Sequence, residues 1–158
     1  MRRYFVAAAV AVAALLAVPA FASAQAGHFV GTPTCKDIGT QVQCAGKVAG
    51  LGGTTFTLTV AAQGTASVTC TNPAGNVAPG QSFSFTAQGS SGPLPTPRNG
   101  SFRFTNLRTV APTAPAGSCP NPMWTATVTD VQFTTATVSL FEDSTLSDQV
   151  TVPVDPDP

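Results

Sequence analysis

The chain has 158 residues, with 7 Lys and Arg against 7 Asp and Glu, and only 9% of it is charged. That balance excludes a basic nucleic-acid binder, whose affinity needs clustered Lys and Arg. Beyond the N-terminal region no apolar stretch approaches the roughly 18–20 residues of a membrane span, so no membrane insertion is expected.

Arg2 and Arg3 form a positive head, Phe5 to Val18 is an uninterrupted apolar run, and Ala22-Ser23-Ala24 offers small residues at a cleavage point. This pattern reads as a secretory signal peptide over residues 1–24. Its removal leaves 5 basic against 7 acidic groups, a net charge of −2. A secreted chain of this length is expected to form one domain, over 25–154, with a flexible acidic tail over 155–158. All 23 threonines follow the signal segment, whereas Glu142 is the sole Glu. Threonine suits a pleated, half-buried surface, and strong helix formers are scarce.

Taken in order, Gln25 to Pro33 reads as a loose arm that is free to join a sheet edge. A hairpin follows, Thr34-Cys35 rising and Gln41 to Cys44 returning around an Asp37-to-Thr40 turn, where Asp supplies an acceptor and Gly a permitted positive φ. Thr55 to Val60 alternates strictly, with Phe56, Leu58 and Val60 on one face. Gln63-Gly64 reads as a turn into Ala66 to Cys70. Ser82 to Thr86 is a short strand. Gly89 to Asn99 carries three prolines and reads as a long exposed loop. Ser101 to Thr105 resumes the alternation, and a second Pro-rich stretch runs from Ala111 to Pro122. Trp124 to Val128 and Thr135 to Leu140 read as two legs of a hairpin around Asp130 to Thr134. Val131 and Phe133 break the parity set by Trp124, Ala126 and Val128, so a β-bulge is expected near Thr129-Asp130. Val150 to Val154 is available as an edge strand. The fold class that follows is all-β: an immunoglobulin-like β-sandwich of about 7–9 short antiparallel strands.

Cys35, Cys44, Cys70 and Cys119 are an even set in an exported chain, so disulfides are expected. No C-x-x-C pair and only one His are present, which argues against a metal site. Three pairings are possible. Cys35–Cys44 across the first hairpin is favoured, because both lie at similar distances from its turn, and Cys70–Cys119 is then left over.

Cys35-Lys36-Asp37, Thr69-Cys70-Thr71-Asn72-Pro73, Pro79-Gly80-Gln81 and the run Cys119-Pro120-Asn121-Pro122-Met123-Trp124-Thr125-Ala126-Thr127 resemble a family of small exported β-rich proteins of actinobacterial type. That resemblance implies a secreted β-rich domain and supplies no catalytic residues. The composition is also similar to that of the neocarzinostatin-type chromophore carriers. Their second cysteine pair lies close together in sequence, whereas Cys70 and Cys119 are far apart.

Catalytic constellations are sparse. His28 sits on the arm, no G-x-S-x-G occurs, and Asp37 and Glu142-Asp143-Ser144 read as turn residues. Asp130 reads as a bulge or cap residue, and Glu142, Asp143 and Asp148 lack the pattern of a calcium loop. The expectation is therefore no enzyme, no catalytic residue, no metal and no cofactor. The leading function is a non-catalytic extracellular module with a binding or cell-surface role, whose partner is an extracellular protein or surface component. The alternative is a secreted inhibitor of an extracellular enzyme, acting through the 89–98 or 110–122 loop. Candidate binding residues are Leu94 and Arg98 at the tip of the first loop, and Trp124. Trp124 shares parity with Ala126 and Val128 and reads as a buried side chain packed on Cys70–Cys119; its competing role is an exposed stacking platform for carbohydrate.

Overall fold

The computed structural model describes residues 26–156, so the signal-like segment lies outside the described residues. The described chain is an all-β sandwich of ten strands: β1 (His28–Phe29), β2 (Thr34–Asp37), β3 (Val42–Ala49), β4 (Thr55–Thr71), β5 (Val77–Pro79), β6 (Phe83–Ser90), β7 (Leu94–Pro95), β8 (Phe102–Arg108), β9 (Thr125–Glu142) and β10 (Thr145–Asp155). One layer is built on the long strands β4, β9 and β10, with β7, β6 and β5 following one another along the free edge of β4. In the other, β3 is central, with β8 on one side and β2 and β1 on the other. The Phe56 ring from the first layer meets the Phe102 ring from the second at 5.1 Å between centroids.

Two of the strands are far from short, β4 having 17 residues and β9 having 18. The turn expected at Gln63-Gly64 does not form, and β4 runs straight through it. Every second residue of β4 points inward, and Phe56, Leu58, Val60, Ala62, Ala66, Val68 and Cys70 are all buried. Gly64 holds the remaining inward place because a Cβ there would lie 2.8 Å from Val131 Cγ1 and 2.9 Å from Phe133 Cδ1. A glycine inside a strand often marks such a close approach rather than a reversal.

The hairpin expected around Asp130 to Thr134 is likewise one continuous strand. A bulge does stand where the parity break requires it: Val128 faces Val68 and Asp130 faces Ser67, which leaves Thr129 extra. A second lies at Thr134, between Phe133 opposite Gly64 and Thr135 opposite Gln63. The first insertion brings Val131 and Phe133 inward, and the second does the same for Ala136, Val138 and Leu140, all five being buried. Each bulged threonine returns its hydroxyl to the neighbouring strand, Thr129 Oγ1 to Ser67 O and Thr134 Oγ1 to Gln63 O, both at 3.4 Å.

Hydrogen bonds join the layers at two corners. Val154 and Asp155 of β10 pair in parallel with Cys35 and Lys36 of β2, so the strand extends one residue past the expected tail boundary. At the other corner Val110 N–H donates to Gln88 O at 2.8 Å, just beyond β8. Thr109, buried there, accepts from Val42 N–H at 2.9 Å through its hydroxyl and returns its own N–H to Val42 O at 3.1 Å. Between the layers lies one continuous core in which Phe56, Leu58 and Leu140 are almost wholly buried. Each such side chain contributes about 1.5–3 kcal/mol.

The N-terminal arm joins an edge of β3. His28 and Phe29 pair with Ala49 and Val48, and Phe29 is buried in the core. Both disulfides take the pairing favoured from spacing. Cys35 and Cys44 are direct cross-strand neighbours with Cα atoms 4.1 Å apart, and Cys70 is joined to Cys119 at 5.7 Å.

Candidate binding surfaces

The carboxylates at the β9–β10 turn are the most heavily hydrogen-bonded side chains among the described residues. Asp143 and Ser144 have φ of 45° and 71°, the left-handed values a two-residue hairpin turn demands. The turn thereby aims two acids at the chain before β4. Glu142 accepts from the N–H of Gly27 at 2.6 Å, Gly52 at 2.7 Å and Gly53 at 3.2 Å, and from Ser147 Oγ at 2.9 Å. Asp143 accepts from the N–H and hydroxyl of both Thr54 and Thr55. Asp148 takes the N–H of Phe29 at 2.8 Å. Far from being a freely solvated turn, the segment fastens the N-terminal arm and the 50–54 connection to the hairpin. Burial raises the Glu142 carboxyl, but the bonds from Gly27, Gly52, Ser147 and Gly53 outweigh it and hold the group below the usual glutamate range. Asp143 is lowered as well, first by the Thr55 N–H and then by the hydroxyl and N–H of Thr54.

Asp37 acts as the turn residue its position suggests, taking the Gly39 N–H at 2.9 Å. Asp130 is exposed on β9. His28 is exposed, with Nδ1 3.4 Å from Ala26 O. Among the described residues no group of three or more His, Cys, Asp or Glu is placed to hold a metal ion.

Of the candidate binding residues, Leu94 is not a loop tip. It pairs with Phe56 across β7 and β4, packs against the core, and lines a groove of about 290 Å³ with Leu58, Phe102 and Leu107. Proline blocks a long ladder in this segment, but a two-residue strand needs few donors, so β7 forms between Pro93 and Thr96. Arg98 remains exposed in the turn that follows. Trp124 is half-buried rather than a core plug, as are Ala126 and Val128. Its N–H donates to Asn121 O at 3.2 Å, and it walls a cleft of about 340 Å³ with Pro115, Ser118, Cys119, Pro122 and Ala126. The segment 111–122 covers the inner side of the β4 and β9 ends, with Gln81 N–H donating to Ser118 O at 2.9 Å. Leu94, Arg98 and Trp124 therefore belong to separate places on the fold, the first half-buried against the core, the second in a turn, the third in the cleft.

The two outer faces differ in chemistry. On the long-strand layer, cross-strand rows such as Ser90-Thr59-Ser139-Gln149 and Gln88-Ala61-Thr137-Thr151 carry hydroxyls and amides. Thr137 and Thr151 share a hydrogen bond at 2.9 Å, and Gln149 Nε2 donates to Ser139 Oγ at 2.9 Å. The outer face of the second layer instead gathers Lys36, Lys47, Arg103 and Arg108, four of the five cations that follow the signal segment. These are scattered along the chain and only strand pairing collects them, which is why no run of charge announces them.

No protein-family model and no curated protein matches the chain. Among solved structures it is similar to a Bacteroides fragilis chain provisionally named a beta-galactosidase, at 11% identity and a TM-score of 0.33, over 82% of this chain and 17% of that one. It is also similar to Bacteroides uniformis beta-glucuronidase, at 16% identity and a TM-score of 0.28, over 79% of this chain and 14% of that one. The chain thus spans a small part of each, and at these scores the likeness has no bearing on activity. What the fold and its bonds define is a class: a doubly disulfide-bonded, all-β sandwich.

Proposed function

We propose that the chain is a secreted, non-catalytic extracellular binding module. The observation that supports this above all is the engagement of its acids. A glycosidase-type general acid needs a carboxyl raised towards neutrality and free to meet substrate. Glu142 and Asp143 are shifted the other way and are occupied by backbone N–H groups. Two disulfides fit an oxidising compartment, in keeping with the signal-like N-terminus. For the inhibitor reading, the 89–98 loop offers the exposed Arg98 while Leu94 packs against the core, and the 110–122 segment offers a second surface.

The test is an activity panel of glycoside, ester and peptide substrates run on the disulfide-bonded protein. No turnover is expected. Turnover that Asp130→Asn abolishes with the melting temperature unchanged, or that Glu142→Gln abolishes at a temperature where the variant is still folded, overturns the proposal. Stoichiometric loss of an extracellular protease's activity on mixing replaces it with the inhibitor reading.

A further inference from the structure

The cations of the second layer form an ordered array. Lys47 on β3 stands directly opposite Arg103 on β8. Four residues along β3, Gln43 is flanked by Lys36 on β2 and Arg108 on β8. All four cations share the outer face, because the residues alternating with them (Cys35, Val42, Cys44, Val48, Phe104 and Leu107) are buried. The extra residue of the β8 bulge, between Phe104 and Leu107, keeps Arg103 and Arg108 on the same side. At about 3.3–3.4 Å per residue the two rows are roughly 13 Å apart along the strands.

None of the four makes an ion pair among the described residues; Arg108 donates instead to Gln43 Oε1 at 3.0 Å. Like charges set directly opposite on paired strands are destabilising, so the Lys47–Arg103 pair is a cost to the free fold that an external anion would remove. Between the rows lie Ala45, Thr34, Thr105 and Asn106, small or hydrogen-bonding side chains with no large apolar group among them. Asp155, in register with Lys36 on β10, is the carboxylate at the rim.

We infer that this face binds a linear acidic polysaccharide, laid along β3 so that carboxylates two to three sugars apart meet the Lys47–Arg103 row and the Lys36–Arg108 row. The charge complementarity selects an anion. The amide and hydroxyl groups between the rows suit the neutral hydroxyls of a glycan. No large apolar side chain stands between the rows, and the single exposed Val30 beside Lys47 is too small a patch for a lipid surface, which recruits inserted hydrophobic groups. Four cations without stacking aromatics make a poor nucleic-acid site. This inference rests on the reading of the chain as a non-catalytic binding module and names its partner.

The test measures binding of the disulfide-bonded chain to alginate, a polyuronate, with neutral dextran, duplex DNA and phosphatidylserine vesicles as comparisons. Alginate is expected to bind, and raising the salt from about 50 to about 200 mM should weaken it about tenfold or more. The double substitution Lys47→Gln/Arg103→Gln should lower the affinity about tenfold while leaving the melting temperature equal or higher, because it relieves a like-charge pair. Lys36→Gln/Arg108→Gln should lower it similarly. Binding unchanged in both variants, absent altogether, or tighter to DNA or vesicles than to alginate overturns the inference. Reducing ends released from alginate in the same samples would overturn the non-catalytic reading beneath it, and only that outcome would.

Discussion

Glu142 shows how one side chain can organise a region with no regular structure of its own. Its partners lie 5 to 115 positions away in sequence, at Ser147, Gly52, Gly53 and Gly27, so nothing local betrays the role. A Glu-Asp pair after an apolar strand looks like a wet turn until the chain is folded around it. Because the folded-state carboxyl titrates below its unfolded value, its contribution is complete above about pH 5 and is lost as the pH falls through the depressed folded value. Asp143 adds to the same trend. Melting temperature should therefore hold from neutrality down to mild acidity and then fall. In Glu142→Gln the unfolding free energy on that plateau should be lower by about 0.5–1.5 kcal/mol, since solvent screens a largely exposed carboxylate, and the acid slope shallower. A variant whose acid slope matches the parent would show that the carboxylate is not the clamp.

At the level of elements, the corner between β6 and β8 depends on a missing side chain. A Cβ at Gly89 would stand 1.8 Å from Arg108 O, a backbone atom that cannot swing aside. Gly89→Ala should thus push the strands apart and destabilise the fold by about 2–3 kcal/mol. Amide exchange should locate the damage at Val110, whose N–H bonds Gln88 O across that corner. Gly52→Ala, at a position with open space around it, should fall within about 0.5 kcal/mol of the parent. The strands of the core were readable from alternation wherever it ran unbroken, as at Phe56 to Val60 or Ala66 to Cys70. Continuity was not. Gly64 and the stretch from Asp130 to Thr134 carry the composition of reversals, and what keeps them extended is the partner strand, which local composition does not contain. Leu94 is similar: its prolines suggest exposure, but the apolar floor beneath it comes from Phe102 and Leu58, distant in sequence.

For the molecule as a whole, the two disulfides differ in reach. The Cys35–Cys44 link closes a separation of 9 residues within one hairpin, whereas Cys70–Cys119 closes 49 and ties the 111–122 segment to the β4 end. Chain entropy values them at about 2.5 and about 4 kcal/mol respectively. Cys70→Ala/Cys119→Ala should accordingly lower the urea midpoint more than Cys35→Ala/Cys44→Ala; the reverse order would place the weight of the fold in the first hairpin. The class of fold and the bonds were legible from composition, parity and cysteine spacing. The cationic face was not, since Lys36, Lys47, Arg103 and Arg108 become neighbours only through pairing.

The paired insertions at Thr129 and Thr134 have a consequence for how β9 can vary. Each is a step of phase in a two-beat pattern, and each is matched by no residue on β4. Those two sites are therefore where the strand could be shortened by one without turning any flanking side chain from oil to water. Loss of a paired residue such as Thr127 or Gln132 would invert everything up to the next insertion.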